Sequence, residues 1–147
     1  MHITPQNRSI VWAIALLNLL FHIAGYIWDL YDRLWWFDKF LHLYTPFAIT
    51  LLLALYLYGV VLSGARDRPL LLVLTIASLG IAISGLWEVA EWGYDQIVAG
   101  NAIKGKLDTI LDLIMGSIGS ILAGLVSLWM VQPESRAEYT VIEIMRH

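Results

Sequence analysis

The sequence predicts an all-α integral membrane protein, a bundle of four transmembrane helices forming a single domain over residues 1–147. Three observations predict it. Hydrophobic residues make up 59% of the chain and charged residues 14%, where a soluble domain is nearer half apolar and about a quarter charged. Four apolar stretches each reach the ~20 residues needed to cross a hydrocarbon core. Within those stretches the polar residues recur at spacings of three and four, so each helix carries them on one stripe.

The first span covers residues 9–28. It is longer than a signal-peptide core and has no obvious A-x-A cleavage site, so it reads as a retained helix. Residues 29–39 form a charged, aromatic connector. The second span covers 40–62, and a loop with Gly64, Arg66, Asp67, Arg68 and Pro69 follows. The third span covers 70–92. A polar segment then leads to the fourth, 107–131, which Gln132-Pro133 ends before a polar tail. Pro46 has no N–H to offer the His42 carbonyl, so a kink is expected there.

Several function classes are excluded. The chain has no cysteine, which removes disulfides, thiolate catalysis and cysteine-ligated metals. The net charge of −3 comes without a basic patch, so nucleic acid is not a partner. No phosphate-binding glycine motif is present.

Four spans place both termini and the loop after the second span on one side. Arg8, Arg66, Arg68, Arg136 and Arg146 fall there, against Arg33, Lys39, Lys104 and Lys106 opposite. This balance puts both termini in the cytoplasm. Most acids gather on the other face. One aromatic belt includes Trp28, Trp35, Trp36, Trp87 and Trp92; Trp12, Trp129, Tyr56 and Tyr58 mark the other.

The stripes converge at the extracytoplasmic face. They are Asn18, His22, Gly25 and Asp29 in the first span; Asp38, His42 and Thr45 in the second; Ser84, Glu88, Glu91 and Asp95 in the third. In the fourth, Asp108 and Asp112 lead into Gly116, Ser120 and Gly124. Polar groups at membrane depth face the bundle interior, and small residues four apart let helices approach closely. Asp38, His42, Glu88, Glu91, Asp108 and Asp112 are therefore the candidate metal ligands. One imidazole with several carboxylates suits Mg²⁺, Mn²⁺, Fe²⁺ or Zn²⁺. The spacing is not the paired Glu-x-x-His of di-iron carboxylate bundles. Lys39 and His22 are candidate substrate-binding groups, Lys39 through an anionic head group. Each has a plainer role available, Lys39 as an ion-pair partner and His22 as a hydrogen-bonded packing residue. Asp108 likewise suits the N-terminus of the fourth helix, and Asp29, Asp32 and Asp95 suit the wet headgroup layer.

Three motifs carry a family resemblance. Asp38-Lys39-Phe40-Leu41-His42 resembles a D-K-x-x-H motif, and Glu88-Val89-Ala90-Glu91-Trp92 resembles E-x-x-E-W. Asp108-Thr109-Ile110-Leu111-Asp112, before Gly116, Ser120 and Gly124, resembles D-T-x-x-D ahead of a glycine-rich helix. In this order they are similar to the VanZ-like and YjdF-like families of small bacterial membrane proteins, with Glu91 closer to the YjdF-like pattern. The resemblance implies a multi-pass protein of the bacterial inner membrane.

The leading expectation is a divalent-cation site at the extracytoplasmic face, serving metal-assisted hydrolysis or transfer on an amphiphilic envelope substrate, with Glu88 or Glu91 as general base. Two other readings stand beside it. One is an accessory or structural subunit of a membrane complex or homo-oligomer, whose partners beyond the lipid bilayer are proteins. The other is a proton- or cation-coupled transporter, which the apolar cytoplasmic halves of the spans disfavour.

Overall fold

In the computed structural model, residues 5–57, 68–98 and 102–130 are described. They form five helices: α1 (Pro5–Ile27), α2 (Leu30–Arg33), α3 (Phe37–Leu57), α4 (Pro69–Val98) and α5 (Lys106–Met130). All but α2 are long and apolar enough to span a membrane. The protein is an all-α, multi-pass membrane protein. Most of the loop after the second span, the last residues of that span and the C-terminal tail lie outside the described residues.

The helix bounds differ from the sequence reading at the polar ends. α3 begins at Phe37, so Asp38 and Lys39 stand in its first turn and not in a connector. α4 runs on to Val98, past Trp92. There Asp95 accepts the backbone N–H groups of Ala102 at 2.8 Å and Ile103 at 2.9 Å, which folds the loop back onto the helix end. The connector holds the short α2. Asp29 precedes it in the left-handed region, with φ 57° and ψ 38°, a conformation aspartate tolerates better than most residues. That residue turns the chain from α1 into α2.

α3, α4 and α5 form the packed unit of the bundle. Small residues allow it. A Cβ on Gly119 would overlap the Leu43 carbonyl of α3, and one on Gly116 would overlap the Ser84 side chain of α4. The same Gly116 Cβ would come within 3.4 Å of the His42 carbonyl, the carbonyl that Pro46 leaves without its helical donor. α3 remains one continuous helix through Pro46. Gly80 of α4 lies against Thr50 and Ser120 in the same way. Ser120 donates to the Gly116 carbonyl at 2.6 Å and Ser127 to that of Ala123 at 2.8 Å, so these buried hydroxyls are satisfied within their own helix.

α1 is peripheral. Of its span 11% is buried, against 33% for α3, 28% for α4 and 33% for α5. It leans on α3 through Phe21, which meets Phe40 and Tyr44 edge-on. At the end away from the acids, Val11 joins Leu51, Ala123 and Met130 in an apolar cluster. Asn7 donates to the Met130 carbonyl there at 2.9 Å.

Candidate functional site

The eight residues singled out in the sequence all lie at one end of the bundle. Six of them, with Lys39, make one continuous cluster. Lys39 extends from the first turn of α3 toward α5. Its ammonium donates to Asp108 at 2.5 Å, Asp112 at 2.7 Å and Asp38 at 3.2 Å. All three of its hydrogens are thereby directed at carboxylates. The lysine side chain is 17% exposed and that of Asp112 only 3%, so this is a desolvated ion cluster in which the cation offsets the repulsion among the acids. Asp108 also accepts the Lys104 backbone N–H at 3.1 Å, placing a negative charge at the start of α5 where the helix dipole favours it.

His42 lies one turn further along α3 and is buried. Its imidazole is ringed by carboxylates from three helices. Nδ1 stands 3.3 Å from Glu88 Oε1; Nε2 stands 3.6 Å from Asp38, 3.8 Å from Glu91 and 3.8 Å from Asp112. Glu88 is 6% exposed, and its Oε1 makes no hydrogen bond among the described residues. Glu91 accepts the Trp87 indole N–H at 2.8 Å, a donor that composition alone marks only as an interface aromatic. Two sets of three have donor atoms within 4.8 Å of one another: Asp38, His42 and Asp112, and His42, Glu88 and Glu91. Lys39 holds two members of the first set and none of the second.

His22 is engaged elsewhere. Its Nδ1 is 2.8 Å from the Tyr31 hydroxyl and its Nε2 is 2.9 Å from Thr45 Oγ1. Thr45 in turn donates to Asn18 Oδ1 at 3.0 Å. These contacts fix the direction of the whole chain. Since the Thr45 proton goes to Asn18, Thr45 accepts from Nε2–H, and Nδ1 accepts from Tyr31. Burial raises the Tyr31 phenol well above its ordinary pKa, which keeps that donor protonated. Nothing local in the sequence pairs Tyr31 with His22, because the pairing depends on the reversal at Asp29.

A cavity of about 280 Å³ lies between α1, α3 and α4. His42, Asp38 and Glu91 face it, as do Ser84, Trp87 and Lys104. Lys39, Glu88 and Asp112 are not part of its wall. The arrangement places an imidazole and two carboxylates of the cluster against a partly open space.

The fold and this cluster define a multi-pass membrane protein with an acid- and histidine-lined interior at one membrane face. The chain belongs to the family described as Predicted membrane protein (DUF2238), whose profile matches residues 4–133. It is similar to an uncharacterized protein of Thermotoga maritima, with 34% identity over 103 residues, covering 68% of this chain and 52% of the relative. The chain thus spans about half the length of that curated relative. No solved structure matches.

Proposed function

We propose that this protein binds a divalent cation through His42, Glu88 and Glu91, at the extracytoplasmic face of a bacterial inner membrane with both termini in the cytoplasm. The observation that carries the reading is Glu88. A carboxylate this deeply buried, with one oxygen lacking a hydrogen bond and an imidazole nitrogen 3.3 Å away, is costly unless a cation or proton meets it. One ligand atom from each of His42, Glu88 and Glu91 lies within 4.8 Å of the others, a spacing that modest side-chain rotation would close to the roughly 3.4 Å between donors on a tetrahedral first-row ion at ~2.1 Å. Their chemistry, one nitrogen and two oxygens, suits Mn²⁺, Fe²⁺ or Zn²⁺ before Mg²⁺. Asp38 and Asp112 complete the surroundings while Lys39 holds them in place. The Trp87 N–H fixes one Glu91 oxygen, as outer partners of metal ligands do. An ion there would polarise a phosphoryl or carbonyl oxygen, or activate water. Hydrolysis or transfer on an amphiphilic envelope substrate is accordingly the reaction class we assign. The ordered D-K-x-x-H, E-x-x-E-W and D-T-x-x-D motifs support kinship with the VanZ-like and YjdF-like families.

Elemental analysis of purified protein tests the reading, together with thermal melting in detergent with chelator and with added Mn²⁺ or Zn²⁺. Saturation at about 100 times Kd should stabilise the fold by ~2.7 kcal/mol. Glu88→Gln and His42→Ala should abolish that gain; Asp32→Asn should leave it intact. A folded protein that carries no metal and melts indifferently to chelator and ion sinks the proposal. Melting that follows pH alone would assign the cluster to protonated carboxyls instead.

A further inference from the structure

We infer that the cavity between α1, α3 and α4 takes a single-chain amphiphile with a cationic ammonium head group. The inference goes beyond the proposed function: it rests on the cavity and not on the ion, and concerns the protein with the ion site empty.

The cavity is graded along its length. Towards the membrane interior its wall is Pro46, Ile49 and Ile83, with Thr45 and Ser84 beside them. At the polar end it is Asp29, Asp32, Asp38 and Glu91. Helical rise sets the distance between the two ends, about 12 Å from Glu91 to Ile83 and about 16 Å from Asp38 to Ile49. The volume of 280 Å³ equals roughly nine waters at ~30 Å³ each, enough for a head group and the first part of an alkyl chain. α1 packs on α3, and α4 packs on α3 and α5, while His22 of α1 and Trp87 of α4 approach each other beside the cavity with ring centroids 6.2 Å apart.

Charge selects the head group. Four lining acids face one lining lysine, Lys104. Asp38 is compensated by Lys39, and Asp29 has the exposed Arg33 at 4.0 Å. No lysine or arginine pairs with Asp32 among the described residues, and Glu91, a ligand in the proposed ion site, adds its charge while that site is empty. Lys39, the cation that the sequence offers to an anionic head group, is held by three carboxylates and does not line the cavity. An anionic head would therefore enter a field of its own sign.

Aromatic rings supply the second recognition element. Tyr26, Tyr31 and Trp87 line the same polar end, with the Tyr26 and Tyr31 centroids 5.4 Å apart. Acids interleaved with tyrosine and tryptophan faces are the chemistry that binds alkylammonium groups.

The test is binding of decyltrimethylammonium to the full chain in a neutral maltoside detergent at fixed salt, followed by tryptophan fluorescence, with decyl sulfate as the anionic counterpart. The titration is run once with chelator and once with Mn²⁺. The expected result is saturable binding of the ammonium amphiphile at least about ten-fold tighter than the sulfate. Tyr26→Leu should weaken it roughly 3- to 30-fold, the range of a cation–π contact. Asp32→Asn should weaken it as well while leaving metal content unchanged. Tyr26 is 80% exposed, so its variant tests binding without threatening the fold. Equal or tighter binding of decyl sulfate overturns the inference, as does a non-saturating signal identical in both variants. Ammonium binding by a protein that takes up no added Mn²⁺ would sink the ion proposal alone, and Mn²⁺ uptake without head-group preference would sink this one alone.

Discussion

The two sides of the bundle are held together by different means. α3, α4 and α5 meet through glycines and serines whose backbones touch, and through an ion cluster centred on Lys39. α1 meets α3 through large aromatic rings and a line of hydrogen bonds, and leaves a cavity beside α4. In lipid, where apolar side chains gain nothing by leaving one apolar neighbour for another, close backbone approach and polar contacts are what bind helices. The trio has both at high density. The α1 side has enough to position a helix, and space remains. A site that admits a ligand belongs where packing is incomplete, and the cluster stands at the border between the two regimes.

The largest expected effect lies within the ion cluster. Lys39→Met removes the cation from three acids and leaves buried carboxylates unpaired, a loss of about 3–5 kcal/mol. The expected outcome is poor recovery of monodisperse protein, with partial rescue by Asp108→Asn/Asp112→Asn in the same chain. Lack of rescue would mean the lysine acts through something other than those acids.

Next is the α3–α5 contact. Gly119→Ala puts a Cβ into the Leu43 carbonyl, and overpacking of this kind costs typically ~1–3 kcal/mol. Detergent melting should fall clearly below wild type. Gly85→Ala on α4 provides the contrast, since a Cβ there meets nothing within 4 Å. Helix propensity then gives a gain of up to ~1 kcal/mol. Equal effects at the two glycines would erase the distinction between the packed and the open faces of the bundle.

The α1 side should respond more mildly. Thr45→Val breaks the link between His22 and Asn18 and should cost about 1–2 kcal/mol. The change should appear as faster amide hydrogen exchange in α1 while α5 remains protected. Uniform loosening of all four spans would show that α1 is not a separate unit.

The spans are legible because hydropathy over ~20 residues is a strong signal, and the inward stripes because helical periodicity is fixed. The end of the bundle where the acids gather follows from the alternation of spans. What cannot be read is who pairs with whom. Lys39 and its partners Asp108 and Asp112 are 69 and 73 residues apart, and only the close approach of α5 to α3 joins them. Charge marks Phe40 as the start of the second span in the sequence. Asp38 and Lys39 nevertheless enter the helix, since α5 brings the carboxylates that complete the ion cluster. Periodicity identifies His22 as inward-facing, but its use by Tyr31 and Thr45 depends on a left-handed residue seven positions later, which no periodicity reveals.

The hydrogen-bond line from Tyr31 through His22 and Thr45 to Asn18 has one polarity, and it ends on a carboxamide oxygen. A carboxamide does not hand a proton onward at neutral pH. Beyond Asn18, towards the opposite leaflet, α1 continues through Leu17, Leu16, Ala15 and Ile14, a stretch with no exchangeable side-chain hydrogen. Reversing any one link requires reversing all of them together. The line is therefore a fixed dipole string with no onward proton acceptor along α1.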